Sequence, residues 1–305
     1  MTSREEPVDA TRAFWRDLGL PGLFDVHVHF HPPDFQRLIW DHFDHAGPKI
    51  GRAWPIRYRV PVPDRVALLR ELGVRRFSAL PYAHKPGVAT YLNDWARTFA
   101  QEVPEVLWSG TFFPEPEAAA YVGALVDAGI EVFKVHVQVG AFDLDDPLLD
   151  GVWSRLEASG TPVVLHAGSG PVSNAYTGPG PMAAILARWP RLCLVVAHLG
   201  APEYVEFLAL AERYERVHLD TTMAFTTFFE DLAPYPPSLL PRLRDLRDKV
   251  LLGSDFPTIP YPYLHQLESL AALDLGESWL RAVCWDNGAR LFGSSPESAV
   301  VATAD

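Results

Sequence analysis

Between residues 23 and 293 the chain alternates short apolar runs with helical segments, eight times over. No other property of the sequence narrows the possible folds as much. Strands are expected at 23–30, 76–82, 106–113, 131–139, 162–167, 192–199, 217–222 and 249–255. Helices are expected between them at 65–72, 88–102, 115–128, 148–158, 181–189, 202–214 and 238–248, with closing helices at 264–273 and 277–291. Eight successive strand–helix units predict an α/β protein, a single-domain (β/α)8 TIM barrel. The alternative is an open doubly wound sheet. No Gly-x-Gly-x-x-Gly turn follows the first strand, which weakens its dinucleotide-binding version. Residues 1–22 read as an N-terminal extension, with a short helix at 8–18 laid against the outside of the domain. Residues 23–293 read as the barrel, and 294–305 as a Ser/Ala-rich disordered tail. Residues 31–62 show no clear periodicity and carry Pro32, Pro33, Pro48, Pro55 and Pro61. A stretch of that length without structure is usually functional, so it reads as an active-site loop holding some short helix.

Composition excludes several partners. Among 305 residues there are 26 Lys plus Arg and 38 Asp plus Glu, a net charge of −12. That balance supplies no basic footprint for nucleic acid and no polybasic patch for an anionic membrane. No run of about 18 apolar residues is present. Residues 1–17 are charged and lack the apolar core of a secretory signal. Cys193 and Cys284 are too few for a disulfide framework and fit no CxxC spacing, so they read as buried free thiols in a reducing compartment. A cytoplasmic enzyme with a small-molecule substrate is expected, and a homo-oligomer is left open.

The strand ends are where the sequence departs from an ordinary barrel. The first strand, Leu23-Phe24-Asp25-Val26-His27-Val28-His29-Phe30, alternates apolar and polar residues, so His27 and His29 leave the same face. In the fourth, Phe133, Val135, Val137 and Val139 should face the helices, while Lys134, His136 and Gln138 should face the barrel axis. The fifth ends at His166, the sixth at His198-Leu199-Gly200, and the eighth at Gly253-Ser254-Asp255-Phe256-Pro257. Barrel interiors are normally filled by Val, Ile and Leu, and catalytic residues come from the C-terminal strand ends. Five histidines, a lysine and a carboxylate there are costly unless they are paired or bind metal. Imidazole and carboxylate together suit a divalent transition ion, Zn2+ first and Mn2+ second. His27, His29, His166 and Asp255 could supply three or four ligands. Such an ion lowers the pKa of coordinated water from ~15.7 toward ~7. Asp255 could take the proton, leaving His198 as a second acid/base or an oxyanion stabiliser.

These residues together resemble the amidohydrolase superfamily, and more narrowly its amidohydrolase-2 branch, which includes aminocarboxymuconate-semialdehyde decarboxylase and related hydrolases. The resemblance rests on Asp25-x-His27-x-His29, Lys134-x-His136, His166, His198-Leu199-Gly200 and Gly253-Ser254-Asp255-Phe256-Pro257, and spans nearly the whole chain. It implies a metal held by His27, His29, His166 and Asp255. His198 would be catalytic with one ion, or a ligand with two. In two-metal members a strand-four lysine is carboxylated and bridges the ions, so Lys134 leaves one ion or two open.

For the substrate, Tyr82, His84, His136, Trp54 and Arg57 are the candidate contacts, and an arginine in a cleft suits a carboxylate. The glycines at 168, 170, 178 and 180 lack the Lys-Ser/Thr partner of a phosphate loop and read as a mobile loop. The expected activity is metal-dependent hydrolysis of an amide, lactone or ester, C–N or C–O, in a small and carboxylate-bearing substrate. The alternatives are non-oxidative decarboxylation of an aromatic or unsaturated acid on the same scaffold, and a metal-loaded binding protein without activity.

Overall fold

Apolar runs flanked by glycine turns set the strands, and a computed structural model, describing residues 6–293, shows how they close. Nine ladder segments are present: β1 (Leu23–Asp25), β2 (Val74–Ser78), β3 (Val106–Leu107), β4 (Ser109–Thr111), β5 (Val132–His136), β6 (Val163–His166), β7 (Leu194–Val196), β8 (Val217–Asp220) and β9 (Val250–Leu251). All neighbours pair in parallel, as β1-β2-β3 and as β4 through β9. β3 and β4 are one expected strand, interrupted at Trp108. The Trp108 amide donates to the Glu131 carboxylate at 2.8 Å, which takes it out of the ladder.

The last seam joins the first strand to the eighth. Val26 N donates to Leu252 O at 2.9 Å, Asp255 N to His27 O at 2.9 Å and His29 N to Phe256 O at 2.7 Å, with a parallel bridge at Val28–Phe256. An open sheet has no such seam, so the fold is the TIM barrel. Gly253 makes the close approach possible: a Cβ there would lie 2.9 Å from His27 Cβ and 2.1 Å from Thr222 Oγ1.

Helices cover the outside with their apolar stripes. Helix Val8–Asp17 is tied on when Trp15 Nε1 donates to Leu72 O at 3.1 Å. Glu6 accepts from the Tyr263 amide and from the Tyr58 hydroxyl. The N-terminal segment is thus fastened to the barrel wall. None of the described helices is long and apolar enough to cross a membrane. Both cysteines are free and buried. The expected disordered tail lies outside the described residues.

Three local expectations need correction. Residues 31–62 hold a 13-residue helix, Pro33–His45, followed by a short one, Gly47–Ile50. The helix starts with proline at its first turn, where no amide partner is lost. Its apolar residues serve two different surfaces, which hid the period. The fourth strand stops at His136 and turns into a helical turn, Val137–Gly140. Val139 is consequently 38% exposed rather than turned to the helices. The sixth strand stops at Val196, and His198 and Leu199 follow with left-handed φ of 55° and 54°.

Candidate active site

Five histidines stand at the C-terminal strand ends, and four of them, all but His136, have one ring nitrogen committed to an acceptor. His27 Nδ1 donates to Asp220 Oδ2 at 2.8 Å. His29 Nδ1 donates to Leu80 O at 2.8 Å. His198 Nδ1 donates to Thr222 O at 3.0 Å. His166 instead donates through Nε2, to Gly170 O at 3.0 Å. These acceptors carry no proton of their own, so they fix the tautomers. The nitrogens left over are Nε2 of His27, His29 and His198 and Nδ1 of His166.

Two of those lone pairs face each other. His27 Nε2 and His29 Nε2 lie 3.2 Å apart, and Asp255 Oδ1 is 3.0 Å from His29 Nε2 and 3.8 Å from His27 Nε2. With the ring protons held at Nδ1, three acceptor atoms converge in a buried place. Such a set repels itself unless positive charge meets it; Lys134 Nζ hydrogen-bonds to His27 Nε2 at 3.0 Å, which leaves His29 Nε2 and Asp255 Oδ1 facing each other. His27, His29 and Asp255 have donor atoms that all lie within 4.8 Å of one another. The outer-ring hydrogen bonds to Asp220 and Leu80 O are the kind that orient metal-bound imidazoles. The residues present therefore fit a divalent metal ion. Burial, first, and the neighbouring Lys134 hold the His27 imidazole well below its ordinary pKa.

Lys134 is fully buried, with Nζ 3.0 Å from His27 Nε2. Burial brings its ammonium down to about 8, against the pull of Asp220 and Asp255. Asp25 is not among the clustered donors. It accepts from the amides of His27 and Ser254, both at 3.1 Å, and from the Tyr263 hydroxyl at 2.8 Å, joining the first strand to the end of the eighth.

The cluster forms the floor of a cavity of about 520 Å3. His166 and His198 line it, their rings 4.7 Å apart, and His136 stacks on His166 at 3.9 Å. His166 is in the wall but outside the three-residue donor group. Tyr82, His84, His136 and Trp54 also line the cavity. Arg57 does not: its Nε is 3.1 Å from Glu6 Oε2, at the N-terminal segment.

Two contributors were missed. Asp220 appeared in the sequence only as a strand end. Its two oxygens hold His27 Nδ1 and the His198 amide, the latter at 3.0 Å. The signal available was the alternation Val217-His218-Leu219-Asp220, which ends on a carboxylate at the strand's C-terminal end. His31 is buried at 1% exposure and lines the cavity. Its ring lies 5.1 Å from Tyr82 and stacks on Phe35 at 5.4 Å. It extends the His27-x-His29 alternation by one more step, which was the signal. Helix Pro33–His45 lies in the stretch expected at the active site, and it walls the cavity as a 13-residue helix rather than as a loop.

The comparisons with known proteins agree with this geometry. A family model described as Amidohydrolase matches residues 24–294. The chain belongs to the amidohydrolase family. It is an enzyme of that type. No curated protein matches it. Among solved structures it is similar to an uncharacterised TIM-barrel protein from Bordetella bronchiseptica, at 18% identity and a TM-score of 0.72, over 89% of this chain and 98% of that one. It is also similar to 5-carboxyvanillate decarboxylase from Novosphingobium aromaticivorans complexed with manganese and 4-hydroxy-3-methoxy-5-nitrobenzoic acid. That match has 16% identity and a TM-score of 0.61, over 90% and 97%. A probable 2-pyrone-4,6-dicarboxylic acid hydrolase from Acinetobacter baumannii with citric acid bound gives 15% identity and a TM-score of 0.60, over 89% and 99%. At these identities the structural likenesses establish the fold. They include a decarboxylase and a hydrolase, and both reactions fit this member of the family.

Proposed function

We propose that this amidohydrolase hydrolyses an amide, lactone or ester in a small molecule, using one divalent ion held by His27, His29 and Asp255. Zn2+ is the first candidate for a donor set of two imidazoles and a carboxylate, and Mn2+ the second, as in the manganese complex of the decarboxylase. The ion, when bound, supplies Lewis-acid polarisation and a water of lowered pKa. The observation that carries the reading is the convergence of the two Nε2 atoms and Asp255 Oδ1, with both Nδ1 atoms tied back.

The chain's own groups divide the remaining work. Asp255, at the cavity floor beside both histidines, takes the proton of the attacking water. His198, with Nδ1 committed to Thr222 O, has Nε2 to offer to an oxyanion or a leaving group. His166 contributes Nδ1 to the ion or to the substrate. Tyr82 and His136 line the approach. Lys134 Nζ, 3.0 Å from His27 Nε2, bears on the number of ions: a single ion on that lone pair needs the lysine neutral or turned aside, and a pair of ions would need it carboxylated. Hydrolysis is preferred to decarboxylation because no arginine lines the cavity among the described residues. Apart from the ion, a free acid substrate would have only Lys134, at the floor, and Lys49, at the rim, among the described lining residues to meet its charge.

The test is turnover by metal-replete protein against lactones, esters and amides beside aromatic and unsaturated acids, following titrated acid and released CO2, with metal measured by elemental analysis. One equivalent of metal with acid release supports the proposal. CO2 release without water uptake establishes the decarboxylase instead. Two equivalents with a carbamate mass on Lys134 removes the single-ion site. A cytoplasmic location belongs to the same reading, and fractionation of the native cell checks it.

A further inference from the structure

The outer half of the cavity is built unlike its floor. Helix Pro33–His45 places Phe35, Ile39 and Phe43 along the cavity, at the i, i+4, i+8 spacing of one helical face. An amphipathic helix ordinarily turns such a stripe to the core; this one turns it to open space. Ile50 and Trp54 extend the same wall. At the mouth, Leu38 is 66% exposed and Val139 is 38% exposed, on two separate elements that flank the opening. Exposed apolar residues gathered at the entrance of a cavity mark a binding surface. The fixed cations among the lining residues are Lys134, fully buried at the floor, and Lys49, exposed at the rim.

We infer that the substrate is amphipathic, with a carbonyl or carboxylate group at the His27–His29–Asp255 floor and an uncharged aryl or alkyl body lying along the 33–54 wall. The polar end rests on the proposed function; the apolar end rests on the wall alone. His31 stands where the two halves meet. It is buried, and neither of its ring nitrogens has a hydrogen-bond partner in the protein. Leaving such a group unpaired is costly. His31 therefore meets a polar substituent next to the head group. A second carboxylate on the body would lose its hydration against Ile39 and Phe43 without gaining a buried cation.

Unbranched hydroxamic acids, from acetohydroxamic to octanohydroxamic acid, titrated calorimetrically into metal-replete protein, test the proposal. Each added methylene should tighten binding about three- to fourfold until the wall is covered. The double variant Leu38→Asp/Val139→Asp, at exposed positions where the fold is not at stake, should weaken octanohydroxamic acid about tenfold and leave acetohydroxamic acid unchanged. Lys49→Gln should leave the whole series unchanged. Affinity independent of chain length overturns the inference, as does succinomonohydroxamic acid binding more tightly than butyrohydroxamic acid, or a loss of the long-chain advantage in Lys49→Gln. A parallel titration of metal-stripped protein with 1-butanol through 1-octanol reads the wall without the ion. If the hydroxamates fail to bind but the alkanols keep their gradient, the metal site is refuted and the apolar wall is upheld. If the hydroxamates bind with no gradient, the metal site is upheld and the wall is refuted.

Discussion

The floor and the outer chamber of the cavity are both lined by histidines, but the histidines differ in what holds them. At the floor and in the wall next to it, His27, His29, His166 and His198 each donate one ring proton to a fixed carbonyl or carboxylate. In the outer chamber, both nitrogens of His31 and Nδ1 of His84 have no partner in the protein; at the strand ends, His136, stacked on His166, shares that property at Nδ1. The first arrangement is finished before any ligand arrives, so the ion's position and the ring tautomers belong to the scaffold. The second is left for the ligand to complete. Under the proposed function, one region would carry the chemistry and the other the choice of substrate.

The comparison is broken most severely at Asp255. Asp255→Asn should lower turnover by about 10^2- to 10^4-fold, because it removes a donor to the ion and the proton acceptor together. Steady-state rates with metal content measured on the same sample check this; unchanged rates would place the chemistry elsewhere. Chelation comes next. Stripping the ion should destabilise the fold by about 3–4 kcal/mol if the free metal had stood at 100–1,000 times its dissociation constant. Thermal melts with and without chelator read the shift, and His31→Phe should show the same shift as the unsubstituted protein.

Asp220→Asn tests whether preorganisation matters at the floor. Removing the carboxylate behind His27 should weaken metal binding about 10- to 100-fold, with activity recovered in excess metal. Competition against a chromogenic chelator measures it, and unchanged affinity would remove Asp220 from the account. The smallest effect is expected from His31→Phe. Metal stoichiometry should stay the same while KM rises about fivefold, on the scale of one lost hydrogen bond. A change in metal affinity there would dissolve the distinction between floor and chamber.

Much of the floor was legible from local pattern. The period-two alternation in residues 23–30 brings His27 and His29 to one face whatever surrounds them, because adjacent side chains of a strand must alternate. The strand–helix repeat predicted the barrel, and a barrel brings strand ends together at one rim. His27, His29, His166, His198, Lys134 and Asp255 consequently share one cavity. The outer chamber was less legible. Helix Pro33–His45 divides its apolar residues between the cavity, at Ile39 and Phe43, and a second surface. On that surface Gln36 Oε1 accepts from the Arg65 guanidinium at 2.9 Å, and Trp40 lies 5.9 Å from it. Two superimposed stripes leave no single period to read. Arg57 looked suited to a substrate carboxylate until its partner, Glu6, came from 51 residues away.

By itself the sequence determined the barrel and the kinds of atom at its rim, since both follow from periods of two and 3.6 residues written into the chain. The tertiary structure decided which nitrogen of each histidine is free. That depends on acceptors such as Asp220 and Leu80 O, which lie 193 and 51 residues from the rings they hold. It also decided the conformations of His198 and Asp255, whose left-handed φ of 55° and 70° no strand pattern implies. Such backbone costs about 1–3 kcal/mol per residue and persists only where the surroundings over-determine it. Here those surroundings are the Asp255 N–His27 O and His198 N–Asp220 hydrogen bonds. They are contacts between strands, and they exist only once the barrel has closed.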